Sequence, residues 1–443
     1  MPRTHNTRLQ ALLQSADWGP SQLARALRAV AAEQGLAVAY DHTTVRRWLA
    51  GTRPRPPAPA LLLECLSRQL GRPITAHEAG LTDAPTAVVN SSWQAEPVHK
   101  LTQLTRAELD PAHATLFGAR GFSLATLALP DWITPVGRLA HRLGTGPEAP
   151  SPGPAEVDRI RGMTDLFHSA AEAYGGQATR SALAAYLAHN VTPLLHARVR
   201  FHRDLLSATA QLTLLLANMC VDSGHDRTAQ YYHQVAARLA ADAGDAATLA
   251  ITLRAMATHA YDLGYHSTAV LNLADQAAVQ ALRAAPAVQA YTQAHLAVVQ
   301  AHHDRHAALS ALARAESLFS RADAAPGPFT AYPPGSLHYQ RAQTLTALGD
   351  PAGAIRALAT SLRLRTPVEH RATILTRARL AETHLGLGHL DQALTHWQEF
   401  LTSYPTIHSA RAARHLHSLL AQLRPYQRHP QVAALLAEAK PLI

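Results

Sequence analysis

Leu348–Leu362 reads LGDPAGAIRALATSL, and the spacing inside it decides more of the fold than any other stretch. Gly349 stands five residues before Ala354. A glycine accepts the backbone of a tight turn without a Cβ penalty, and the alanine falls where two helices come close. The same pair returns in SGHDRTAQYY (Gly224, Ala229), LGYHSTAVLN (Gly264, Ala269) and LGHLDQALTH (Gly388, Ala393). In AHHDRHAALSAL, His303 takes the glycine's place before Ala308. Successive turns are 40, 39, 46 and 39 residues apart. A step near forty predicts stacked helix pairs, each burying its face against the next, from Glu156 to the end of the chain.

Composition agrees with helices. Of the 443 residues, 47% are hydrophobic, mostly alanine and leucine, and only 5% are aromatic. Strand cores favour β-branched and aromatic side chains. The net charge is +9, and its placement says more than the total. Residues 1–81 hold ten arginines, no lysine and five acidic residues, giving +5; the other 362 residues give +4. A basic N-terminal segment is what a phosphate-contacting unit needs. Cys65 and Cys220 lie far apart in apolar helical patterns, as small buried residues of a reduced compartment. MPRTHNTRLQ is too polar for an export signal. Ala119–Pro130, ARGFSLATLALP, falls short of the ~20 apolar residues that cross a bilayer. The expectation is a cytoplasmic, nucleoid-associated protein with no membrane partner.

Residues 1–81 read as short helices. Thr7–Ser15 aligns Leu9, Leu12 and Leu13. After Trp18-Gly19-Pro20, Ser21 stands where a cap is expected, and a second helix with Leu23, Leu27 and Val30 on one face runs toward Gly35. Thr43 is expected to cap a third helix over 43–50, ended by Gly51. The prolines of Arg53–Pro57 make a stiff link. A fourth helix runs from Ala58 to Leu70, closed by Gly71 and Pro73. Residues 82–154 form a partly structured linker with Pro/Ser/Gly clusters at both ends and a helix over Val98–Leu109. Residues 155–443 are the repeats.

In the third helix, TTVRRWLAG (Thr43–Gly51), Val45, Trp48 and Leu49 share one arc at 100° per residue. Arg47 and Thr43 lie opposite, with Arg46 and Thr44 on the flanks. Arginine reads guanine through two parallel hydrogen bonds, and threonine meets phosphate or a thymine methyl. Thr43, Thr44, Arg46 and Arg47 are therefore base-reading candidates. Gln22, Arg25, Arg53 and Arg55 are phosphate candidates.

The repeat turns resemble those of tetratricopeptide repeats over Asp204–Pro405, with that family's closing proline in LTSYP (Pro405). Their step exceeds the family's usual ~34 residues, and the longest step holds an insertion, APGPFTAYPPG. Residues 7–81 resemble the N-terminal domain of lambda-repressor-like (XRE-type) regulators, whose third helix, T/S-x-V-x-x-W/L-x-x-G, enters the major groove. RRWLAGTRPRPP…LSRQLGRPITAHEAGL and Met163–Leu195 resemble large regulators of high-GC bacteria that join this domain to tetratricopeptide repeats. The connection Gly35–His42 is longer than the family's usual turn of about four residues. The resemblance implies an all-α fold, a helix-turn-helix domain followed by an α-solenoid. It implies a sequence-specific transcriptional regulator on double-stranded DNA, a homodimer through the repeats. A small molecule, peptide or protein effector would act on the repeats.

No nucleotide loop, nucleophile elbow or paired-cysteine zinc pattern is present, so neither catalysis nor a cofactor is expected. The densest histidine group, His295, His302, His303 and His306 around Asp304, lacks a helical metal-site spacing, and no metal site is expected. Asn190 and Asn218 lie in repeat helices, where asparagine serves either a peptide backbone or the core. The reading from a different class is a tetratricopeptide-type interaction scaffold without specific DNA binding. Outward arginines at 46, 47, 53 and 55 separate the two, because an adaptor has no need of them.

Overall fold

The computed structural model describes residues 5–33, 36–70, 74–81, 93, 95–110, 122–123, 127, 129–130, 133, 153–195, 202–322 and 332–442. Gly35, Gly71, Pro73, the proline-rich clusters over 82–92 and 144–152 and most of the 325–335 insertion lie outside the described residues. Among the described residues every regular element is a helix.

Four helices form the N-terminal unit: α1 (Thr7–Ser15), α2 (Pro20–Glu33), α3 (His42–Leu49) and α4 (Ala58–Leu70). Leu9, Leu23, Leu27, Val45, Trp48, Leu62, Cys65 and Leu66 make one buried cluster, with α2 against both α3 and α4. Asn6 ties the unit together. Its Oδ1 accepts from Leu9 N at 2.9 Å, its Nδ2 donates to Ala79 O at 3.0 Å, and its own N donates to Leu49 O at 2.8 Å.

Two caps differ from expectation. Ser21 lies inside the first turn of α2, because Pro20 is already helical, with a ring that presets φ. Gln22 Oε1 reaches back instead to Gly19 N at 2.6 Å. Asp41, not Thr43, caps α3, accepting from Thr44 N and Thr44 Oγ1, both at 2.8 Å. A carboxylate favoured by the helix dipole outcompetes a hydroxyl two residues later.

The segment after residue 95 opens with α5 (Pro97–Leu109). It is no mere connector: Leu101 and Leu104 are buried in the same cluster as the repeat helices. Then come α6 (Pro154–Tyr174), α7 (Gly176–Tyr186), a π-helical turn at Leu187–Val191 and short α8 (Thr192–Leu195). Five helix pairs follow: α9 (His202–Asp222) with α10 (Asp226–Ala243), α11 (Ala246–Asp262) with α12 (Thr268–Ala281), and α13 (Pro286–Gln300) with α14 (Arg305–Phe319). α15 (Pro334–Ala347) pairs with α16 (Pro351–Leu364), and α17 (His370–Gly386) with α18 (Leu390–Ser403). α19 (Ala410–Leu423) and α20 (Pro430–Ala439) end the chain. Along the stack the first helices α9, α11, α13 and α15 touch in succession.

The turn glycines 224, 264, 349 and 388 all have φ between +76° and +87°. Ala229, Ala308, Ala354 and Ala393 are fully buried. Ala269 departs: it is half-buried, and Val270 fills the slot. Three residues lie between Gly264 and Thr268, the first residue of α12, against one in the other glycine turns, so the helix starts later in phase. The His303 turn needs no left-handed residue, since His303 N and Asp304 N both donate to Gln300 O at 2.8 Å. Both cysteines are buried, and neither forms a disulfide among the described residues. α9 is long and apolar enough to cross a membrane, but 78% of its apolar window is buried inside the stack.

The two ends of the stack meet. α6 packs on α17; His408 N donates to Tyr174 O at 2.8 Å, and Gln177 N to His408 O at 3.3 Å. Gly175, at φ +88°, makes this approach possible, because a Cβ there would lie 2.4 Å from His408 O. The pairs therefore surround an interior faced by α6 and the first helices of the pairs.

Candidate functional site

On α3 the chemistry follows from one alternation. Val45 and Trp48 are buried, Trp48 edge-on to Tyr40 at 5.4 Å, while Thr43, Arg46 and Arg47 are exposed. Neither Arg46 nor Arg47 makes an ion pair among the described residues. An outward guanidinium keeps its five donors for a partner. Thr44 is different: half-buried, its hydroxyl is committed to Asp41, so it does not join the outward set. Thr43 Oγ1 lies 3.5 Å from His42 Nε2.

Of the phosphate candidates, Arg25, Arg53 and Arg55 are exposed. Gln22 is exposed too, but its Oε1 closes the α2 first turn. α2 and α3 pack on each other, so these side chains and the α3 arginines belong to one unit. Arg28, one turn beyond Arg25 and also exposed, extends the basic face; the i, i+3 spacing that signals it was already present in the sequence. Arg68 turns the other way, paired with Glu64 at 2.7 Å and lying over the Tyr265 ring at 5.8 Å, toward the repeats.

The histidine group does not converge. His295 is buried in α13, where burial holds it well below the usual range. His302 stacks on His266 with centroids 3.9 Å apart. Asp304 caps α14 through His306 N and Ala307 N. No group of three or more His, Cys, Asp or Glu among the described residues is arranged to hold a metal ion. Asn190 is exposed in the π-helical turn, whereas Asn218 faces the interior with Oδ1 3.4 Å from His233 Nε2.

That interior is a second site, which the sequence reading passed over. Two adjoining cavities of about 230 and 320 Å³ share His168, Glu172, Ile251, Tyr291, Arg371 and Arg411 as walls. Arg371 joins Glu172 at 2.5 Å and approaches Asp222 at 3.6 Å. Asp222 also accepts from Ser409 Oγ at 2.7 Å and Gly176 N at 2.8 Å. Arg365 pairs with Glu369 at 2.6 Å, and Arg411 pairs with Asp262. Burial pushes the Glu172 carboxyl up, but the charge and hydrogen bond of Arg371 outweigh it, leaving it below the usual carboxylate range. Burial pulls His168 down against the opposing charge of Glu172, and His259 down against the hydrogen bond that its Nε2 makes to Asp226 Oδ1 at 2.9 Å. The available signal was a charge inside an apolar helix: Arg254 in AITLRAMATHAYD and Asp222 closing LTLLLANMCVD. Helical spacing alone does not reveal that Glu172 and Arg371, 199 residues apart, share one cavity.

A family model described as the SP15 N-terminal domain matches residues 9–82, from within α1 to beyond α4. No curated protein matches the chain.

Proposed function

We propose that the chain is a helical-repeat binding protein, an interaction scaffold of the tetratricopeptide type, whose binding face is the interior lined by the first helices. One observation carries this reading. Each pair buries apolar side chains between its own helices, while α6, α9, α11, α13, α15 and α17 turn Glu172, Asp222, Arg254, Tyr291, Ser336 and Arg371 to the common interior. Buried charge is costly, and a purely structural stack gains nothing by gathering it there. The test is capture of a partner by the full chain, then hydrogen exchange on the reconstituted pair. Protection of 154–174, 246–262 and 370–386 supports the reading; protection confined to residues 5–81, or none, sinks it.

A second reading is favoured by its own observation: exposed, unpaired Arg46 and Arg47 on a helix pinned by buried Val45 and Trp48. In this reading the N-terminal unit is a helix-turn-helix of the XRE type, α3 reads a half-site in the major groove, and the protein is a transcriptional regulator. The resemblance of TTVRRWLAG and the basic charge of residues 1–81 support it. A homodimer follows from the need for paired half-sites. Selection of bound fragments from sheared genomic DNA, with the Arg46→Ala/Arg47→Ala variant beside the wild type, decides it. A short, two-fold symmetric sequence enriched by wild type alone upholds DNA reading. Equal, sequence-blind binding by both proteins leaves the scaffold.

A further inference from the structure

Four arginines line the interior, and three of them have carboxylate partners: Arg365 with Glu369, Arg371 with Glu172 and Arg411 with Asp262. Arg254 is the exception. It is only 7% exposed. Its Nε donates to Tyr291 O at 3.2 Å, and its Nη1 to Tyr291 Oη at 2.8 Å and Thr258 Oγ1 at 3.3 Å. Its guanidinium lies 3.6 Å from the centre of the Tyr291 ring. All of these partners are neutral, and among the described residues no carboxylate is paired with it. Nη2 has no partner there either, and Arg254 forms part of the cavity wall.

A buried guanidinium fixed by neutral groups is unfavourable unless an anion completes it. Burial pulls Arg411 down against the charge of Asp222, with Arg254 adding to the effect of burial; burial pulls His295 down, and Arg254 adds to that as well. The second cavity, which Tyr291 also lines, adds apolar surface from Ala287, Ala372, Leu375 and the ring of Tyr332 beside the paired Arg365, Glu369 and Arg371. The Tyr332 hydroxyl is buried and has no hydrogen-bond partner, although a buried hydroxyl normally has one.

We propose that the interior is a binding site for a small carboxylate compound. Its carboxylate sits on Arg254, and its apolar body lies against Tyr291, Tyr332 and Leu375. This deepens the scaffold reading by naming the ligand class of the same interior, and it rests on that reading for the site. Among the described residues Arg254 alone of the four lacks a carboxylate at ion-pair distance, and a planar carboxylate matches its guanidinium edge. Cavities of 230 and 320 Å³ sit near the lower limit of roughly 300 Å³ for ligand pockets.

The full chain is titrated by calorimetry and thermal melting with benzoate, acetate, inorganic phosphate and neutral benzamide. Saturable stabilisation by benzoate, weaker with acetate and absent with benzamide, is the expected result. Arg254→Met should weaken benzoate binding by at least about tenfold, with Arg254→Lys in between. Tyr332→Phe retains the ring and is the second variant, expected to keep benzoate binding while narrowing selectivity among hydroxylated benzoates. Phosphate binding more tightly than either carboxylate overturns the proposal, as does benzamide matching benzoate or Arg254→Met binding unchanged. No saturable shift with any carboxylate also overturns it. A macromolecular partner that still protects 154–174 and 370–386 in that case leaves the scaffold reading standing, so the two failures are distinguishable.

Discussion

Arg371 donates to Glu172 across 199 residues of chain, 2.5 Å from the carboxylate oxygen. This contact joins α17 to α6 and so links the last full pair to the helix before the stack. Arg371 also faces Asp222, so its loss leaves Glu172 without its cation and Asp222 with only Ser409 Oγ and Gly176 N. Breaking one side of a buried ion pair costs about 3–5 kcal/mol. Arg371→Ala is expected to destabilise the chain on that order in urea unfolding. Arg371→Met combined with Glu172→Gln should recover a good part of the loss. A single variant no less stable than wild type would show that the ends are held by other contacts.

The same junction sets an expectation for a glycine. Gly175 and Gly349 both have left-handed backbone, at φ +88° and +78°, but only at Gly175 does a Cβ meet backbone, 2.4 Å from His408 O. At Gly349 nothing lies within 4 Å of the added carbon. Gly349→Ala should therefore cost only the left-handed backbone penalty, roughly 1 kcal/mol. Gly175→Ala must also move the α6–α7 turn off His408, and should cost visibly more by thermal melting. Equal losses would mean that the closure yields freely.

What could be read from the sequence followed from local geometry. The Gly-x4-Ala pairs located the turns after α9, α15 and α17, because turn glycine and buried alanine are near-neighbour requirements. The split of Val45 and Trp48 from Arg46 and Arg47 was equally local. Caps were harder: Asp41 against Thr43 is a competition of two acceptors, decided by charge. The interior was legible only at Arg254 and Asp222, charges within apolar helices, because Glu172, Arg371 and Arg411 look like ordinary helix-surface charges until the ring of helices brings them together. Val270 in place of Ala269 follows from a two-residue delay in the start of α12 that the repeat spacing hides.

Lys100 gives a pH expectation. It is buried in α5, its Nζ donates to Gln234 Oε1 at 2.8 Å, and burial, with the charge of Arg227 behind it, lowers its pKa from 10.5 to about 7. The unfolded chain therefore holds this proton more tightly than the folded one. The resulting penalty is full below pH 7, shrinks between pH 7 and 10.5, and is gone above. The slope is at most about 1.4 kcal/mol per pH unit. Lys100→Met removes the titration, so its stability advantage over wild type should shrink from pH 7 to pH 10 in parallel urea unfolding curves. A constant difference would mean that Lys100 is not protonated differently in the two states.

Arg53 and Arg55 bear most directly on the choice between scaffold and DNA reader. Both are exposed on the proline-stiffened link that follows α3, where a phosphate backbone would pass if α3 lay in a groove. Each phosphate contact contributes about 0.9 to the slope of log affinity against log salt. If both residues contact phosphate, Arg53→Ala/Arg55→Ala should lower that slope by nearly two without altering the preferred sequence. Arg46→Ala/Arg47→Ala should instead erase the preference. Fluorescence anisotropy on a selected operator, across a series of salt concentrations, measures both. A slope unchanged in the first variant removes the link from the interface. An unchanged preference in the second removes α3 as the reader, and with it the regulator reading.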